Sequence, residues 1–233
     1  MIDSEDAARA WLVEGLGIDS AAMARLSQLV TMLIEENERQ NLVSRGSLAH
    51  VWQRHIADSA QLLCVPRGTP AEVEGDWLDL GSGAGFPGLV IAALDPARRM
   101  TLVDSRKLRT EWLSRAAAAL GLSNVEVVLS RVEDLPPRQF SVISARAFAP
   151  LDKLLTLSAR FSTPATTWLL PKGAKAHHEL HMLNSTWRHM FHVEQSLTDP
   201  AAGIVVGTLP ATLPVPRSTA AHTGNHSEEG LRR

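Results

Sequence analysis

The glycine-rich stretch Asp79-Leu-Gly-Ser-Gly-Ala-Gly-Phe-Pro-Gly88 contains the residue types best suited to bind a ligand. It follows an apolar segment that begins at Trp77, so the pattern predicts a strand, a tight turn and then a helix. Glycines in such a turn adopt positive φ values and leave the backbone open to a ligand. Pro87 suits the first turn of the helix. We therefore expect a ligand with an adenosine moiety to bind at this turn.

Asp79 gives the glycines the pattern Asp-x-Gly-x-Gly-x-Gly, which resembles the first motif of S-adenosylmethionine-dependent methyltransferases. The dinucleotide fingerprint is matched only with a shift to Gly83 and Gly88. About 20 residues further on, Asp104 ends a second apolar segment, where an acid accepts hydrogen bonds from ribose hydroxyls. Together the two segments favour a methyltransferase. They leave open a nicotinamide or flavin enzyme, and a turn with a purely structural role.

The elements that must position these residues alternate from residue 76 onward. Strands are expected at 76–80, 100–104, 125–129, 140–145, 166–170, 189–196 and 203–208. Helices are expected at 88–94, 106–120, 151–161 and 175–186. This alternation predicts an α/β fold with a mainly parallel seven-stranded sheet and helices on both faces. The resemblance of the glycine motif implies that the fold is of the Rossmann-like class I methyltransferase type.

The N-terminal segment has a helical pattern instead. Apolar residues at spacings of three and four predict an amphipathic helix over 21–40, and shorter helices are expected over 7–14 and from Ser47, a suitable N-cap. Pro66-Arg-Gly-Thr-Pro70 then interrupts the pattern. We expect a helical N-terminal subdomain over 1–68, a methyltransferase domain over 69–209 and a flexible tail over 210–233.

Ligands of such sheets bind outside the carboxyl ends of the strands, and this rule collects candidates from successive strand ends. The predicted cofactor-binding residues are Asp79, Gly81, Gly83, Gly85, Phe86, Asp104, Ser105, Val132, Glu133 and Arg146. Glu133 is placed to meet an adenine amino group and Val132 to cover the ring; the alternative is a solvated carboxylate and a core valine. Arg146 is either a fixed cation near the cofactor or RNA, or part of a surface ion pair.

Composition limits the remaining possibilities. The 233 residues are 45% hydrophobic, enough for a sizeable core, and the formal net charge of −2 argues against a generally basic RNA-binding surface. Cys64 is the only cysteine, which fits a reducing cytosol. The sequence begins without a secretory signal and has no apolar run long enough for a membrane span, so we expect a cytoplasmic protein without a membrane partner. His177 and His181 lack accompanying ligands, and no metal site is expected.

Absent residue types narrow the chemistry. Methylation of a pyrimidine C5 needs a cysteine nucleophile, and Cys64 lies in the helical segment away from the strand ends. Exocyclic amines are usually methylated beside an Asn/Asp-Pro-Pro-aromatic turn, whereas the sequence here is Ala145-Arg-Ala-Phe148. A ring nitrogen with a lone pair, such as guanine N7, needs no proton carrier. Catalysis then depends on positioning and electrostatics, for which Arg146 is the candidate residue.

Six motifs, in order and spacing, are similar to those of the bacterial 16S ribosomal RNA guanine-N7 methyltransferase family, RsmG, also called glucose-inhibited division protein B. They are Asn41-Leu-Val-Ser44, Arg54-His-Ile-Ala-Asp-Ser59, Asp79 to Gly88, Leu102-Val-Asp-Ser105, Ser130-Arg-Val-Glu133 and Ala145-Arg-Ala-Phe148. The resemblance covers roughly residues 20–208. It implies that S-adenosylmethionine is the cofactor and that it contacts Gly81, Phe86, Val132, Glu133 and Arg146.

The resemblance also implies a guanosine in a conserved loop of 16S rRNA as the substrate, within the small ribosomal subunit or an assembly intermediate. An unpaired base is required because the deep major groove of an A-form helix hides N7. The near-neutral charge favours subunits that carry protein over naked RNA, and a monomer is expected. The candidate substrate-binding residues are Arg54, His55, Asp58, Arg109, Phe148 and Lys172.

Some alternatives remain open at this point. Phe148 either stacks on the target base or packs against its neighbours. His55 and Asp58 share a helix face, and they either meet the substrate or form a buried polar pair that ties the N-terminal helices to the sheet. A related methyltransferase with a small-molecule or protein substrate is the first alternative function. A nicotinamide-binding oxidoreductase is the second.

Overall fold

The computed structural model describes residues 1–65 and 75–210. Within these ranges seven strands form a single sheet in the order β3-β2-β1-β4-β5-β7-β6. The strands are β1 (Trp77–Leu80), β2 (Met100–Asp104), β3 (Val125–Leu129), β4 (Val142–Ala145), β5 (Thr167–Lys172), β6 (Phe191–Gln195) and β7 (Gly203–Gly207). Strands β1 to β5 pair with one another in parallel, and β7 is antiparallel to β5 and β6.

Strand order reverses at β1, which pairs with β2 on one side and β4 on the other. Leu80 is level with both Val103 and Ala145, so the three strands end side by side. A reversal of this kind opens a crevice at the carboxyl ends of the strands, where open α/β sheets bind ligands. The predicted Rossmann-like architecture and its strand positions are confirmed, with strand ends that shift by at most two residues.

Helices cover both faces of the sheet, and each face has its own apolar core. One core contains side chains of α5 (Gly88–Leu94) and α6 (Lys107–Ala119), and the other contains those of α7 (Leu151–Ser158), α8 (Ala176–Met182) and α9 (Ser185–Arg188). Because both faces are covered, all four residues of β1 are buried.

The N-terminal helices pack into the same core as α5 and α6. They comprise α1 (Glu5–Ala10), a π-helical turn (Trp11–Gly15), α2 (Ser20–Gln40), α3 (Arg45–Leu48), a π-helical segment (Trp52–Ala57), α4 (Asp58–Ala60) and a 3-10 turn (Gln61–Leu63). Helix α2 buries Leu26, Leu29 and Leu33 completely. The expected interruption at Pro66–Pro70 lies outside the described residues, and so does the expected tail beyond residue 210.

Two predicted helices differ from the structure for reasons of capping. The helix expected from Ser47 begins earlier, because Ser44 is the N-cap and its hydroxyl accepts the Ser47 N–H. The helix expected over 175–186 is two helices. Leu183 has an extended backbone, and the Asn184 side chain caps α9 by accepting the Trp187 N–H. None of the described helices is long and apolar enough to cross a membrane.

The shared core predicts that α2 and the sheet unfold together. Leu33→Ala removes a fully buried side chain and should lower the free energy of unfolding by about 2–5 kcal/mol, in one cooperative urea transition. Ile34→Ala is the matched control, since Ile34 is 46% exposed on the same helix and should change stability by less than about 1 kcal/mol. Two separate transitions followed by tryptophan fluorescence would contradict a shared core.

Candidate functional site

A cavity of about 440 Å³ lies at the carboxyl ends of β1 to β4. Eight of the ten predicted cofactor-binding residues line it: Gly81, Gly83, Phe86, Asp104, Ser105, Val132, Glu133 and Arg146. Its volume is in the usual range for sites that bind small molecules and cofactors. The candidate residues come from four separate chain segments, and the strand ends bring them together.

The turn after β1 forms one wall of the cavity. The N–H groups of Gly81 and Ser82 both donate to the Val103 carbonyl, at 2.8 and 3.0 Å, which fixes the turn against β2. Gly81 has a φ of +67°, and a Cβ at this position would lie 2.5 Å from Cδ2 of Phe148. Only glycine fits, because the conformation is left-handed and the phenylalanine ring fills the space.

Asp104 is oriented by backbone N–H groups on both of its carboxylate oxygens. Gly83 N donates to Oδ2 at 3.0 Å and Arg106 N donates to Oδ1 at 2.9 Å. Since an ionised carboxylate has about four acceptor positions, it can accept further hydrogen bonds from a ligand hydroxyl. The acid at the end of β2 is thus held at the cavity in a fixed direction.

Val132 and Glu133 lie on a 3-10 turn after β3. The Arg160 guanidinium donates to the backbone carbonyls of both residues, at 2.5 and 2.8 Å, and so holds the turn in place. The Val132 side chain is buried, whereas the Glu133 carboxylate is exposed and pairs with Arg131 at 3.1 Å. Its own backbone N–H and Arg131 lower the pKa of Glu133, so the side chain is an acceptor at neutral pH.

Asp79 does not line the cavity, which differs from the prediction. It is fully buried beneath the turn, where the Ser144 hydroxyl donates to its Oδ1 at 2.7 Å and Trp77 Nε1 donates to Ser144 Oγ at 2.8 Å. Burial raises the pKa of Asp79 to about 6, against the opposing effect of the Ser144 hydrogen bond. The Asp79 side chain lies on the face of the sheet that packs against the start of α5, so it supports the turn from below.

Gly85 also differs from the prediction, because it packs against the helical layer instead of the cavity. A Cβ there would lie 2.9 Å from Leu89 Cγ and 3.3 Å from Leu113 Cδ2. Trp112 Nε1 donates to the Ala84 carbonyl at 3.0 Å and fixes the same part of the loop. The role of Gly85 is close packing between the loop and the helices α5 and α6.

The sequence left two interpretations of Arg146 open, a fixed cation near a ligand and a member of an ion pair, and its surroundings have features of both. It lines the cavity, and its guanidinium also pairs with Asp58 Oδ2 at 3.2 Å and contacts His55 Nδ1 at 2.9 Å. His55 is buried and stacks on Phe86, with ring centroids 4.9 Å apart. His55 and Asp58 thus join the N-terminal segment to the strand ends, which supports the interpretation of a polar tie.

The other candidate substrate residues have different surroundings. Arg109 lines the cavity and donates to the carbonyls of Asn41 and Leu42. Phe148 borders both this cavity and a neighbouring one of about 520 Å³, which Lys172 also lines. The Lys172 ammonium is 2.9 Å from a Glu179 carboxylate oxygen, and Arg54 pairs with Asp199 at 2.9 Å, so each of these two cations already has a carboxylate partner.

Leu42 and Val43 are cavity residues that the site prediction missed. Asn37 accepts the Val43 N–H at 2.8 Å, and Asn41 ends α2 with a left-handed φ of 44°, which turns the chain toward the cavity. The signal was present in Asn41-Leu-Val-Ser44, a motif without an assigned role. The N-terminal segment therefore contributes directly to the wall.

Comparison with known proteins identifies the family of the chain. The model for the GidB family, described as rRNA small subunit methyltransferase G, matches residues 22–202. The chain belongs to this family. A ribosomal RNA small subunit methyltransferase G from Novosphingobium aromaticivorans is 69% identical over 206 residues, which cover 88% of this chain and 89% of that protein. The protein of the same name from Zymomonas mobilis is 44% identical over 85% of this chain and 90% of its own length.

Solved structures agree with the fold of this family member. A ribosomal protein L11 methylase from Lactobacillus delbrueckii subsp. bulgaricus matches with a TM-score of 0.51 at 12% identity, over 65% of this chain and 77% of that one. An RNA methyltransferase from Salinibacter ruber, in complex with S-adenosyl-L-homocysteine, matches with a TM-score of 0.50 at 13% identity. The match covers 67% of this chain and 92% of that one. Both support the Rossmann-like methyltransferase architecture. Among residues 1–65 and 75–210, no group of three or more His, Cys, Asp or Glu is arranged to hold a metal ion.

The raised pKa of Asp79 predicts a specific pH dependence of stability. The folded protein keeps the proton up to about pH 6, while the unfolded chain releases it near the ordinary value of 3.8, so ionisation costs folding free energy as pH rises between these values. The unfolding free energy of the wild type minus that of Asp79→Asn should fall by about 2 kcal/mol from pH 4 to pH 7. Urea denaturation at both pH values measures it, and a difference independent of pH would contradict the assignment.

The packing of Gly81 against Phe148 predicts an unequal effect of two alanine substitutions. Gly121 has the same φ of +67° but nothing within 4 Å of a Cβ, so Gly121→Ala should cost only the conformational strain of about 1–2 kcal/mol. Gly81→Ala should lower the free energy of unfolding by about 1–3 kcal/mol more than Gly121→Ala does, because the Phe148 ring must move. Thermal unfolding measures both. In the Phe148→Ala background, Gly81→Ala should destabilise the protein less. Equal loss of stability in Gly81→Ala and Gly121→Ala would contradict the packing of Gly81 against Phe148.

Proposed function

We propose that this chain carries out the reaction of its family, transfer of a methyl group from S-adenosylmethionine to guanine N7 in 16S rRNA. The observation that carries the proposal is the cavity at β1 to β4, in which Asp104, Val132 and Glu133 occupy successive strand ends. The family match over residues 22–202 includes all of them.

The cavity residues fit S-adenosylmethionine. In the proposed complex Asp104 accepts hydrogen bonds from the ribose hydroxyls, Glu133 accepts one from the adenine amino group and Val132 covers the adenine ring. Gly81 leaves room for the Phe148 ring, which lines the cavity beside the turn. Phe86 and Arg146 lie on the same wall. Bound there, the cofactor supplies an electrophilic sulfonium methyl group.

The residues around the cavity suit a methyl transfer that moves no proton. Guanine N7 attacks with its lone pair, the methyl–sulfur bond breaks, and the positive charge passes from sulfur to the purine. The cavity lining in the described ranges contains no cysteine, histidine or lysine. Its two carboxylates, Asp104 and Glu133, are the groups proposed to bind the ribose and the adenine. Because this reaction releases no proton, we propose that the chain contributes alignment and electrostatic surroundings.

The neighbouring cavity is the proposed place of the target base. Arg146, Ala147 and Phe148 line both cavities, and Lys172 and Lys175 lie along the neighbouring one. An unpaired or extruded guanosine can reach this position, since N7 in an A-form helix faces a narrow groove. Phe148 offers a face for stacking, and Lys175 is a cation available to phosphates.

Charge also bears on the form of the substrate. With 23 basic and 25 acidic side chains, the chain has little general attraction for naked RNA. We propose that it acts as a monomer on small subunits, or on assembly intermediates, in the cytoplasm where these particles form. Recognition then combines a local basic patch with the shape of the particle.

Transfer of labelled methyl from S-adenosylmethionine tests the proposal. Small subunits from cells that lack the enzyme should accept about one methyl per particle at a guanosine that borohydride and aniline cleavage maps as 7-methylguanosine. Naked 16S rRNA should accept at least about tenfold less, the consequence of few phosphate contacts. Subunits from cells that contain the enzyme are the control and should accept none. Absence of label on both substrates contradicts the function, and label on naked RNA alone contradicts the substrate preference.

A further inference from the structure

His55 lies in the N-terminal segment, yet its ring contacts two residues of the cofactor cavity. Nδ1 is 2.9 Å from a guanidinium nitrogen of Arg146, and the ring stacks on Phe86 with an interplanar angle of 13°. The Arg146 guanidinium also lies over the Phe86 ring, 5.3 Å from its centroid. The sequence separation of 91 residues shows that the fold, not local geometry, brings His55 and Arg146 together.

Hydrogen-bond chemistry fixes the tautomer of His55. A guanidinium has donors only, so Nδ1 must be the acceptor and the ring proton must lie on Nε2. Nε2 is 3.0 Å from the Ser47 hydroxyl, which therefore accepts, and Ser47 in turn donates to the Ser44 carbonyl at 3.0 Å. The imidazole is thus oriented by Arg146 at Nδ1 and by Ser47 of the N-terminal segment at Nε2.

Arg146 has two further acceptors on the same segment. Asp58 Oδ2 lies 3.2 Å from Nη1, and the Arg54 carbonyl accepts from the same nitrogen at 3.2 Å. Asp58 is itself fixed, because its Oδ1 accepts from Thr198 at 2.8 Å and from Gln61 at 2.9 Å. The guanidinium is consequently held in one orientation where it borders both cavities.

We propose that His55 is a positioning residue for methyl transfer, whose neutral Nδ1 acceptor holds the Arg146 guanidinium between the cofactor and the target base. This inference rests on the proposed function. It assigns the N-terminal segment a part in the reaction, because His55 and Asp58 fix the position of the Arg146 guanidinium. The strand ends alone do not fix it.

The electrostatic surroundings keep His55 in the required form. Burial and the charges of Arg146 and Arg54 lower the pKa of His55 to about 3. The ring therefore stays neutral at physiological pH, where a protonated imidazole would repel Arg146 and lose its acceptor.

Three substitutions distinguish the loss of the hydrogen bond at Nδ1 from the loss of the ring packing on Phe86. The amide oxygen of His55→Asn can take the place of Nδ1, whereas the amide of His55→Gln reaches the position of Nε2; both variants lose the ring. His55→Phe keeps the ring stack and loses both hydrogen bonds. Loss of a hydrogen bond to a charged group predicts that kcat/KM on small subunits falls about tenfold or more in His55→Gln and His55→Phe, but less than about threefold in His55→Asn. The affinity for S-adenosylmethionine, measured by calorimetry, should follow the same order.

A merely structural role predicts a different order, in which activity follows thermal stability and His55→Phe, which retains the stack, is the least affected. That order would overturn the inference. The imidazole ¹⁵N shifts of the unliganded protein, assigned with the His55→Asn variant, give a readout independent of turnover. They should show an unprotonated Nδ1 and a protonated Nε2 from pH 6 to 8, and the opposite tautomer would also overturn it. A wild type that transfers no methyl contradicts the proposed function instead, while the ¹⁵N shifts still decide the state of His55.

Discussion

The turn at the end of β1 has no room for a side chain at Gly81, and the rest of the site is arranged around that constraint. The turn is held from the side by two N–H groups on the Val103 carbonyl and packs against the ring of Phe148. Beneath it lies the buried carboxyl of Asp79, itself fixed by Ser144. The loops after β1, β2 and β4 therefore meet at this turn.

The N-terminal helices complete the site from the outside. They share an apolar core with α5 and α6, they contribute Leu42 and Val43 to the cavity wall, and they hold Arg146 through His55 and Asp58. This explains physically how a segment that does not belong to the sheet reaches the candidate site. An arginine at a strand end is flexible unless several acceptors fix it, and here those acceptors come from another part of the chain.

Sequence patterns predicted the sheet and most of the site because both follow local rules. Strands β2 and β3 and helix α5 have the predicted bounds, since their apolar runs are bordered by clear turn residues. The strand-end rule then placed eight cofactor candidates at one cavity. The other two candidates, Asp79 and Gly85, belong to the same motif but do not line the cavity, because glycine spacing does not show which side of a turn faces it. Contacts such as His55 with Arg146 depend on packing between distant segments, which no local pattern encodes.

The central claim is that the residues at successive strand ends bind S-adenosylmethionine, and calorimetric titration of matched variants tests it most directly. Glu133 lines the cavity, whereas its neighbour Asp134 does not. Glu133→Gln should raise the Kd for S-adenosylmethionine about tenfold, the effect of one weakened hydrogen bond to a charged acceptor, and Asp134→Asn should leave it unchanged. NAD should not bind. Equal affinities in the wild type and both variants, or binding of NAD in place of S-adenosylmethionine, would contradict the account.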